Sequence, residues 1–293
     1  MNIFNGLEAA VKRDYALAKH TWYGIGGPAD YFIQPQSQDE LTEVILRCQD
    51  NGIKVRVIGF GSNLLVDDKG VRCAVVKLDS DAFTQTEFND QCITAWAGSE
   101  LSALVLTCVK RGLAGIEMLT GIPGSMGGAV RMNAGGSFGD IGSVVESVTL
   151  MDKEGNVFAK AKPELSFDYR FTNITAKFIL NATLKLREDD PEQIMRTLQE
   201  TWIHKKNNQP LNTRSCGCVF RNPPGQSAGA LIDRTGLKGL QMGGAKVSDK
   251  HANFIVAQKG CKSVDVMRLV DAIKERVKEQ FDIELEPEIE IWK

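Results

Sequence analysis

The sequence has little charge imbalance and lacks the long apolar runs that mark several classes of protein. Its 293 residues carry 35 basic and 37 acidic side chains, a net charge of −2, so nothing indicates a nucleic-acid or membrane-surface partner. No apolar run approaches the roughly 18–20 residues of a membrane-spanning helix. Residues 1–15 contain Glu8 and no apolar core, so we expect no secretory signal and a cytoplasmic protein.

Histidine is scarce and cysteine is scattered, which argues against a local metal site. The three histidines are far apart in sequence, and the seven cysteines are an odd number. We interpret most cysteines as small buried hydrophobes in a reducing compartment. Only Cys216 and Cys218 form a local pair. Their spacing permits a metal pair, a disulfide or packed thiols, but no further ligands lie nearby, so we expect no metal.

Glycine, in contrast, is concentrated in residues 115–142, which read GIEMLTGIPGSMGGAVRMNAGGSFGDIG. Nine of these 28 positions are glycine, against an average of about 7% in proteins. Core-forming residues such as Ile116, Met126 and Val130 alternate with the glycines, so the stretch is not low-complexity filler. Glycine lets a ligand approach the main chain closely. Two interpretations stay open, a cofactor cradle and a glycine-rich connection between packed elements.

A second glycine-bearing loop favours the cofactor interpretation. Residues 57–66 read VIGFGSNLLV, a strand that enters Gly-Phe-Gly-Ser-Asn. Successive backbone N–H groups in such a loop suit a phosphate. No Gly-Lys-Ser/Thr follows, so the loop is not a Walker motif, and Leu64 stands where a third dinucleotide-binding glycine would fall. Together the two loops predict a cofactor that carries a diphosphate.

Periodicity predicts a mixture of helices and strands. Helices are expected over 39–49, 101–111 (with Ser99 as N-cap), 192–207, 227–235 and 263–281, with one short helix within 1–20. Strands are expected over 31–34, 55–58, 73–78, 92–97, 144–151, 178–186, 242–248, 254–257 and 283–291. The first 80 residues predict a small α/β unit, residues 80–187 a second α+β unit, and the polar residues 188–191 a boundary.

Three residues could carry chemistry, each beside a plainer interpretation. Arg170 in FDYRF could bind a carboxylate or phosphate, or lie on the exposed edge of a strand. Cys218 follows a Gly217 turn that would expose a nucleophile or acid. Glu288 belongs to four alternating glutamates that would ordinarily form the solvated face of a strand. His251 could meet an anionic ligand or be a hydrogen-bonded surface histidine.

Eight segments together resemble the bacterial UDP-N-acetylenolpyruvoylglucosamine reductase family, in its order. They read TWYGIGGPADYF, GFGSNLLV, GIPGSMGGAVRMNAGG, FDYRF, GCVFRNP, AGALIDRTGLKG, GGAKVSDKHANFIV and LEPEIEI. The short span after Tyr169 resembles the shorter form of the family, which lacks an inserted substrate loop. The resemblance implies an α+β protein: an FAD-binding fold of the vanillyl-alcohol-oxidase type over 1–187 (subdomains 1–80 and 81–187) and a substrate-binding α+β domain over 188–293.

The resemblance also implies the reaction and its residues. It implies an FAD enzyme of peptidoglycan precursor synthesis that uses NADPH to reduce the enolpyruvyl ether of UDP-N-acetylglucosamine to UDP-N-acetylmuramate. Arg170 would bind the enolpyruvyl carboxylate, and Glu288 would help to stabilise the enol-like intermediate. The family's proton-donating serine falls at Cys218, where a thiol, with a reference pKa of about 8.5, is a stronger acid than a hydroxyl and can keep the role.

The resemblance assigns further residues to the ligands. The FAD-binding positions are Gly59, Gly61, Ser62, Asn63, Leu64, Gly121, Gly124, Ser125, Gly127, Gly128, Asn133 and Gly135. The candidate substrate contacts are Tyr169, Arg221, Asn222, Lys250 and His251. Two alternatives stay open: an FAD-linked oxidase on the same fold, and a flavin-binding protein without catalysis.

Overall fold

The computed structural model describes residues 3–7 and 10–293. The described residues form six α-helices: α1 (Gln38–Asp50), α2 (Leu101–Lys110), α3 (Met126–Arg131), α4 (Pro191–Asn208), α5 (Ala228–Arg234) and α6 (Ser263–Phe281). None of these helices combines the length and the apolar character needed to cross a membrane.

The strands are numbered in chain order. The first ten are β1 (Val11–Ala16), β2 (Pro28–Ile33), β3 (Val55–Ile58), β4 (Leu64–Val66), β5 (Val71–Lys77), β6 (Thr86–Asn89), β7 (Cys92–Trp96), β8 (Leu113–Ala114), β9 (Gly135–Gly136) and β10 (Gly139–Asp140). The others are β11 (Val145–Met151), β12 (Val157–Ala161), β13 (Phe167–Asp168), β14 (Phe171–Thr172), β15 (Phe178–Lys185), β16 (Arg187–Glu188), β17 (Gln241–Met242), β18 (Ala245–Val247), β19 (Ile255–Ala257) and β20 (Glu290–Trp292).

Contacts divide the chain into two compact units. The first unit contains the described residues up to Arg13, Asp30–Phe60 and Arg72–Ile203. The second contains Asp14–Ala29, Gly61–Val71 and His204–Lys293. The predicted boundaries at residues 80 and 187 stay predictions, because the contacts group segments in space and not along the chain.

The two larger sheets of the first unit each have their own core, and three two-stranded sheets accompany them. One sheet has the order β1–β2–β5–β3, and β3 and β5 run parallel. Helix α1 buries Leu41, Val44, Ile45 and Cys48 in its core, as the predicted amphipathic spacing requires. The Ser37 side chain begins α1 by accepting a hydrogen bond from the Glu40 N–H (3.1 Å).

The other sheet of the first unit has the order β12–β11–β15–β7–β6 and is antiparallel throughout. Helix α2 packs its apolar face into the core that this sheet shares with α3. The predicted N-cap of α2 is wrong: Glu100 precedes the helix, and the Ser99 hydroxyl donates to the Gln85 carbonyl (2.9 Å). Ser99 is buried, so its hydroxyl forms this bond instead of capping the helix.

The second unit packs α5 and α6 with the three-stranded sheet β17–β18–β19. Helix α6 spans the predicted residues. The predicted terminal strand 283–291 is wrong over most of its length, because only β20 is a strand, paired in parallel with β4. Before it, Pro287 forms an isolated bridge with Phe220. Proline has no N–H to continue a ladder, which accounts for the interruption.

Two further predictions differ from the structure. The helix expected within residues 1–20 is instead strand β1 followed by a single 3₁₀ turn at Leu17–His20, with residues 1, 2, 8 and 9 outside the described part. The glycine-rich centre contains helix α3, which was not predicted. Ser125 is the N-cap of α3, and its hydroxyl accepts from the Gly128 N–H (3.4 Å).

Replacing Gly98 by alanine should destabilise the first unit. A Cβ at this position would lie 1.9 Å from the Leu78 carbonyl oxygen and 2.8 Å from that of Phe83. We expect the free energy of unfolding to fall by about 1–3 kcal/mol, the range found for overpacked sites. Urea unfolding followed by circular dichroism measures this. The control is Gly136→Ala, where a Cβ meets nothing within 4 Å; equal losses in both variants would contradict the prediction.

Candidate functional site

A small cleft of about 130 Å³ lies in the first unit. Its lining residues are Val57, Ile58, Gly59, Phe60, Lys77, Leu78, Asp79, Ala97, Gly98, Ser125, Gly127, Gly128, Arg131, Lys177 and Ile179. The end of β3 and the start of α3 therefore line one cleft. Part of the 57–66 loop and part of the glycine-rich centre thus face the same space.

Two glycines that line this cleft, Gly59 and Gly127, have no space for a side chain, because a Cβ would clash with neighbouring protein atoms. A Cβ at Gly59 would lie 2.5 Å from the Ser125 hydroxyl oxygen, and one at Gly127 would lie 2.9 Å from the Ala97 Cβ. Gly128 is exposed, and a Cβ there would meet only Ser125 at 3.4 Å. A flat or elongated ligand can therefore contact main chain along the cleft.

The N–H groups at the start of α3 bond within the protein. Met126 donates to the Ser99 carbonyl and Gly127 to the Ala97 carbonyl, both at 2.9 Å. Gly128 donates weakly to its own N-cap at 3.4 Å. These bonds fix the turn, but they also mean that the helix end offers few free donors to an anion.

The predicted FAD-binding residues fall into three groups. Gly59, Ser125, Gly127 and Gly128 line the cleft. Gly121, Gly124, Asn133 and Gly135 belong to the first unit but lie outside the cleft lining. Gly61, Ser62, Asn63 and Leu64 belong to the second unit. The roles of all twelve stay predictions.

Arg170 lies at the tip of a hairpin in the first unit. Strands β13 and β14 pair Asp168 with Phe171, so Tyr169 and Arg170 form a two-residue turn, which we call the Arg170 hairpin. Arg170 has a left-handed backbone (φ 52°), and its guanidinium donates to the Gly135 carbonyl (2.9 Å). It also lies over the Tyr169 ring at 5.2 Å. The structure thus brings Arg170 to the glycine-rich centre.

Asn133 holds this hairpin against the glycine-rich centre. Its side chain is buried, donates to the Asp168 carbonyl (2.9 Å) and accepts from the Gly142 N–H (2.9 Å). Its φ of 42° is one that asparagine adopts more readily than most residues. Asn133 therefore positions Arg170 through the backbone of the hairpin.

Cys218 and Glu288 lie on neighbouring backbone segments of the second unit. The Glu288 N–H donates to the carbonyl of Val219, the residue after Cys218 (2.7 Å). The Asn63 side chain donates to the Glu288 carbonyl (3.0 Å). Gly217, at φ +75°, supplies the left-handed turn that precedes Cys218. The second unit therefore brings Cys218, Glu288 and Asn63 together.

The sequence interpretation missed Asn253, which fixes the same segment. Asn253 is buried, and its amide both donates to the Phe220 carbonyl (2.8 Å) and accepts from the Phe220 N–H (2.9 Å). Its own carbonyl accepts from the Val219 N–H (2.8 Å). An asparagine between Ala252 and Phe254, in an otherwise apolar run, was the available signal.

Cys216, the other member of the Cys-x-Cys pair, is a buried thiol. Its Sγ lies 3.2 Å from the Leu64 carbonyl oxygen, and burial raises its pKa to about 12. It is thus a protonated packing group at neutral pH. Among the residues that the structure describes, no cluster of three or more His, Cys, Asp or Glu side chains could hold a metal ion.

The candidate substrate contacts of the second unit have local partners. The Asn222 side chain accepts from the Ala228 N–H at the start of α5 (3.0 Å). The Lys250 ammonium donates to the Lys206 carbonyl.

His251 Nδ1 accepts from the Asn253 N–H (3.2 Å), and burial, followed by the nearby Lys238 charge, lowers the pKa of His251. His251 is therefore neutral at neutral pH. Arg221 donates its N–H to the Glu286 carbonyl (2.9 Å).

Comparison with known proteins gives two family matches that together cover most of the chain. Residues 209–292 match the family described as UDP-N-acetylenolpyruvoylglucosamine reductase, C-terminal domain, and residues 29–159 match an FAD binding domain family. The chain is 41% identical to the UDP-N-acetylenolpyruvoylglucosamine reductase of Heliobacterium modesticaldum, over 94% of this chain and 88% of that protein. It is 38% identical to that of Clostridioides difficile, over 99% and 96%.

The chain belongs to the UDP-N-acetylenolpyruvoylglucosamine reductase family. The crystal structure of such a reductase from Thermus caldophilus superposes with a TM-score of 0.84 and 38% identity, over 97% of this chain and 99% of that one. The glucose dehydrogenase Phl p 4.0202 shares the fold over 65% of this chain, at a TM-score of 0.51 and 14% identity. The predicted family and fold class are confirmed. The enzyme is an FAD-containing oxidoreductase.

Replacing Asn133 by alanine should loosen the Arg170 hairpin. The change leaves the Gly142 N–H and the Asp168 carbonyl without their partner, which costs about 1–3 kcal/mol for a buried group. We expect a lower free energy of unfolding and faster hydrogen exchange at Gly142, measured by urea titration and amide exchange. Asn89→Ala, at an exposed position, should change stability by less than about 0.5 kcal/mol. Unchanged exchange in Asn133→Ala would contradict the bracing role.

Proposed function

We propose that this protein reduces the enolpyruvyl ether of UDP-N-acetylglucosamine to UDP-N-acetylmuramate, with NADPH as hydride donor and bound FAD, in peptidoglycan precursor synthesis. The observation that carries the proposal is the match to the reductase of Heliobacterium modesticaldum over 94% of this chain, at 41% identity. We place the reaction in the cytoplasm, since none of the seven cysteines, all among the described residues, is part of a disulfide, as a reducing compartment favours.

The cleft residues fit FAD. A Cβ at Gly128, which lines the cleft, would meet only the Ser125 hydroxyl at 3.4 Å, so a ligand can approach the main chain there. FAD, when bound, would accept hydride from NADPH and supply it to the β-carbon of the enolpyruvyl group. We assign Gly59, Ser125, Gly127 and Gly128 to the cofactor, since they line the cleft.

Arg170 would bind the carboxylate of the enolpyruvyl group. Its guanidinium is held by the Gly135 carbonyl and by the Tyr169 ring, and a guanidinium has five donors. A planar fork suits a carboxylate in two hydrogen bonds. Its positive charge would also stabilise the negative charge that develops when hydride adds to the β-carbon.

Cys218 would supply the proton that the α-carbon needs after hydride addition. The thiol S–H bond breaks as the new C–H bond forms, and the thiolate is then reprotonated from water. Glu288, fixed by its backbone bonds to Val219 and Asn63, would help to stabilise the enol-like intermediate. Asn63 and Asn253 act as positioning residues for these two segments.

An anaerobic spectroscopic experiment tests the function. The purified protein should be yellow, lose its visible absorbance with NADPH, and regain it when the enolpyruvyl substrate is added without oxygen. Recovery only on admission of air would support an FAD-linked oxidase. Flavin that NADPH cannot reduce would support a binding protein without catalysis, and a colourless protein that takes up no FAD would contradict the cofactor assignment.

Replacing Cys218 by alanine should impair only the second half-reaction. Removal of a general acid lowers rates by about 10²–10⁴-fold, so reoxidation of reduced flavin by substrate should slow by that factor in stopped flow. Reduction by NADPH should stay unchanged. Cys218→Ser, which restores the family's residue, should recover most of the lost rate.

The control for that series is Cys92→Ser, a half-buried thiol at the start of β7. It should leave both half-reactions as in the parent protein. If Cys218→Ala reoxidised at the parent rate, or if both half-reactions slowed equally, the assignment of Cys218 as proton donor would be wrong.

A further inference from the structure

The cleft in the first unit carries a net positive charge. Three of its lining residues are cations, Lys77, Arg131 and Lys177, and Asp79 is the one carboxylate among them. These four side chains leave an excess of two positive charges at a place lined otherwise by uncharged residues. Neither the glycine pattern nor the family resemblance pointed to these cations.

Asp79 cancels the charge of only one cation. Its carboxylate lies 3.1 Å from the Lys77 ammonium and also accepts two hydrogen bonds from the Gln34 amide (3.0 and 3.2 Å). Both carboxylate oxygens are thereby engaged by groups of the protein. Arg131 and Lys177 are left to supply the excess charge.

Arg131 is fixed by carbonyl groups and not by a carboxylate. Its guanidinium donates to the carbonyls of Ile174 and Ala176, the latter at 2.6 Å. Among the described residues no carboxylate lies within 4.0 Å of it. Burial lowers the pKa of Arg131, yet a guanidinium stays protonated in proteins. A desolvated cation without an anion is costly, so the site favours an anionic ligand.

Lys177 belongs to the backbone segment, residues 174–177, whose carbonyls hold the Arg131 guanidinium. Its ammonium donates to the Val55 carbonyl (3.0 Å), while its own carbonyl lies 3.5 Å from the Arg131 guanidinium. The ammonium has three donors and is exposed, so two remain for a ligand. Arg131, which the carbonyls of residues 174–177 hold, and Lys177, which belongs to that segment, therefore present charge at the same cleft.

We propose that Arg131 and Lys177 bind the diphosphate of the FAD cofactor, in addition to the glycine backbone. Because the N–H groups that begin α3 already donate within the protein, the helix end cannot balance a diphosphate by itself. A dinucleotide diphosphate carries one negative charge on each phosphate, which matches the two excess positive charges. Arginine pairs well with such oxygens. This inference rests on the proposed use of FAD.

The test measures FAD affinity in the full-length chain after removal of flavin. Fluorescence titration gives the Kd of FAD for the parent protein and for Arg131→Gln, Lys177→Gln and Lys153→Gln, each at low and high NaCl. Lys153 is exposed and lies outside the cleft lining, so it is the matched control. We expect Kd to rise about tenfold in each cleft variant. We also expect a smaller salt dependence, because one screened charge pair is gone.

Competition with ADP and adenosine separates the diphosphate from the adenine ring. The inhibition constant of ADP should be higher for Lys177→Gln than for the parent protein, whereas that of adenosine should be the same for both proteins. An equal loss for adenosine, or a Kd and salt dependence as in Lys153→Gln, would overturn the assignment. If Arg131→Gln fails to fold, Lys177→Gln decides the question, because its exposed side chain is replaced at little structural cost.

The outcomes also separate this inference from the function. A parent protein that bound no FAD would end the proposed function. Normal flavin reduction and reoxidation in the parent, with unchanged FAD affinity in both cleft variants, would overturn only the role of Arg131 and Lys177.

Discussion

The close approach of Gly59 to the Ser125 hydroxyl is the constraint on which the shape of the cleft in the first unit depends. A Cβ at 59 would lie 2.5 Å from that oxygen, so the Ser125 hydroxyl would have to rotate away from its N-cap position at Gly128. The N–H groups of Met126 and Gly127, next to Ser125, donate to the carbonyls of Ser99 and Ala97, so the protein itself satisfies them. Shape and charge are thus supplied by different groups.

This separation explains why the glycine pattern reveals only half of the candidate site. Glycine marks where main chain is approached closely, and four of the positions that the resemblance implied for FAD line the cleft: Gly59, Ser125, Gly127 and Gly128. The compensating cations come from β5, α3 and the segment before β15, where single lysines and arginines resemble ordinary surface residues. Only the fold brings them to one cleft.

Local periodicity predicted the regular elements because burial imposes it. Helices α1 and α6 and three strands of the five-stranded sheet, β7, β11 and β15, follow the predicted ranges closely, since each has one face in a core. The other two strands of that sheet, β6 and β12, were not predicted. Helix α3 escaped prediction because its start, Met-Gly-Gly, has a poor helix propensity that packing against Ala97 overrides. Ser99 has N-cap chemistry, but its partner Gln85 is 14 residues away, which no local pattern reveals.

The catalytic assignments rest on resemblance, yet the structure gives a physical reason why cysteine can occupy position 218. The backbone on both sides of Cys218 is fixed without its side chain, by the left-handed Gly217 and by the bonds of Val219 to Glu288 and Asn253. Exchange of a hydroxyl for a thiol at position 218 therefore leaves the Cα in place and changes only the acidic group of the side chain. Cys216, in contrast, bonds to Leu64 through its sulfur and is buried, so its replacement would disturb packing. The two cysteines thus lie two residues apart in sequence but under different constraints.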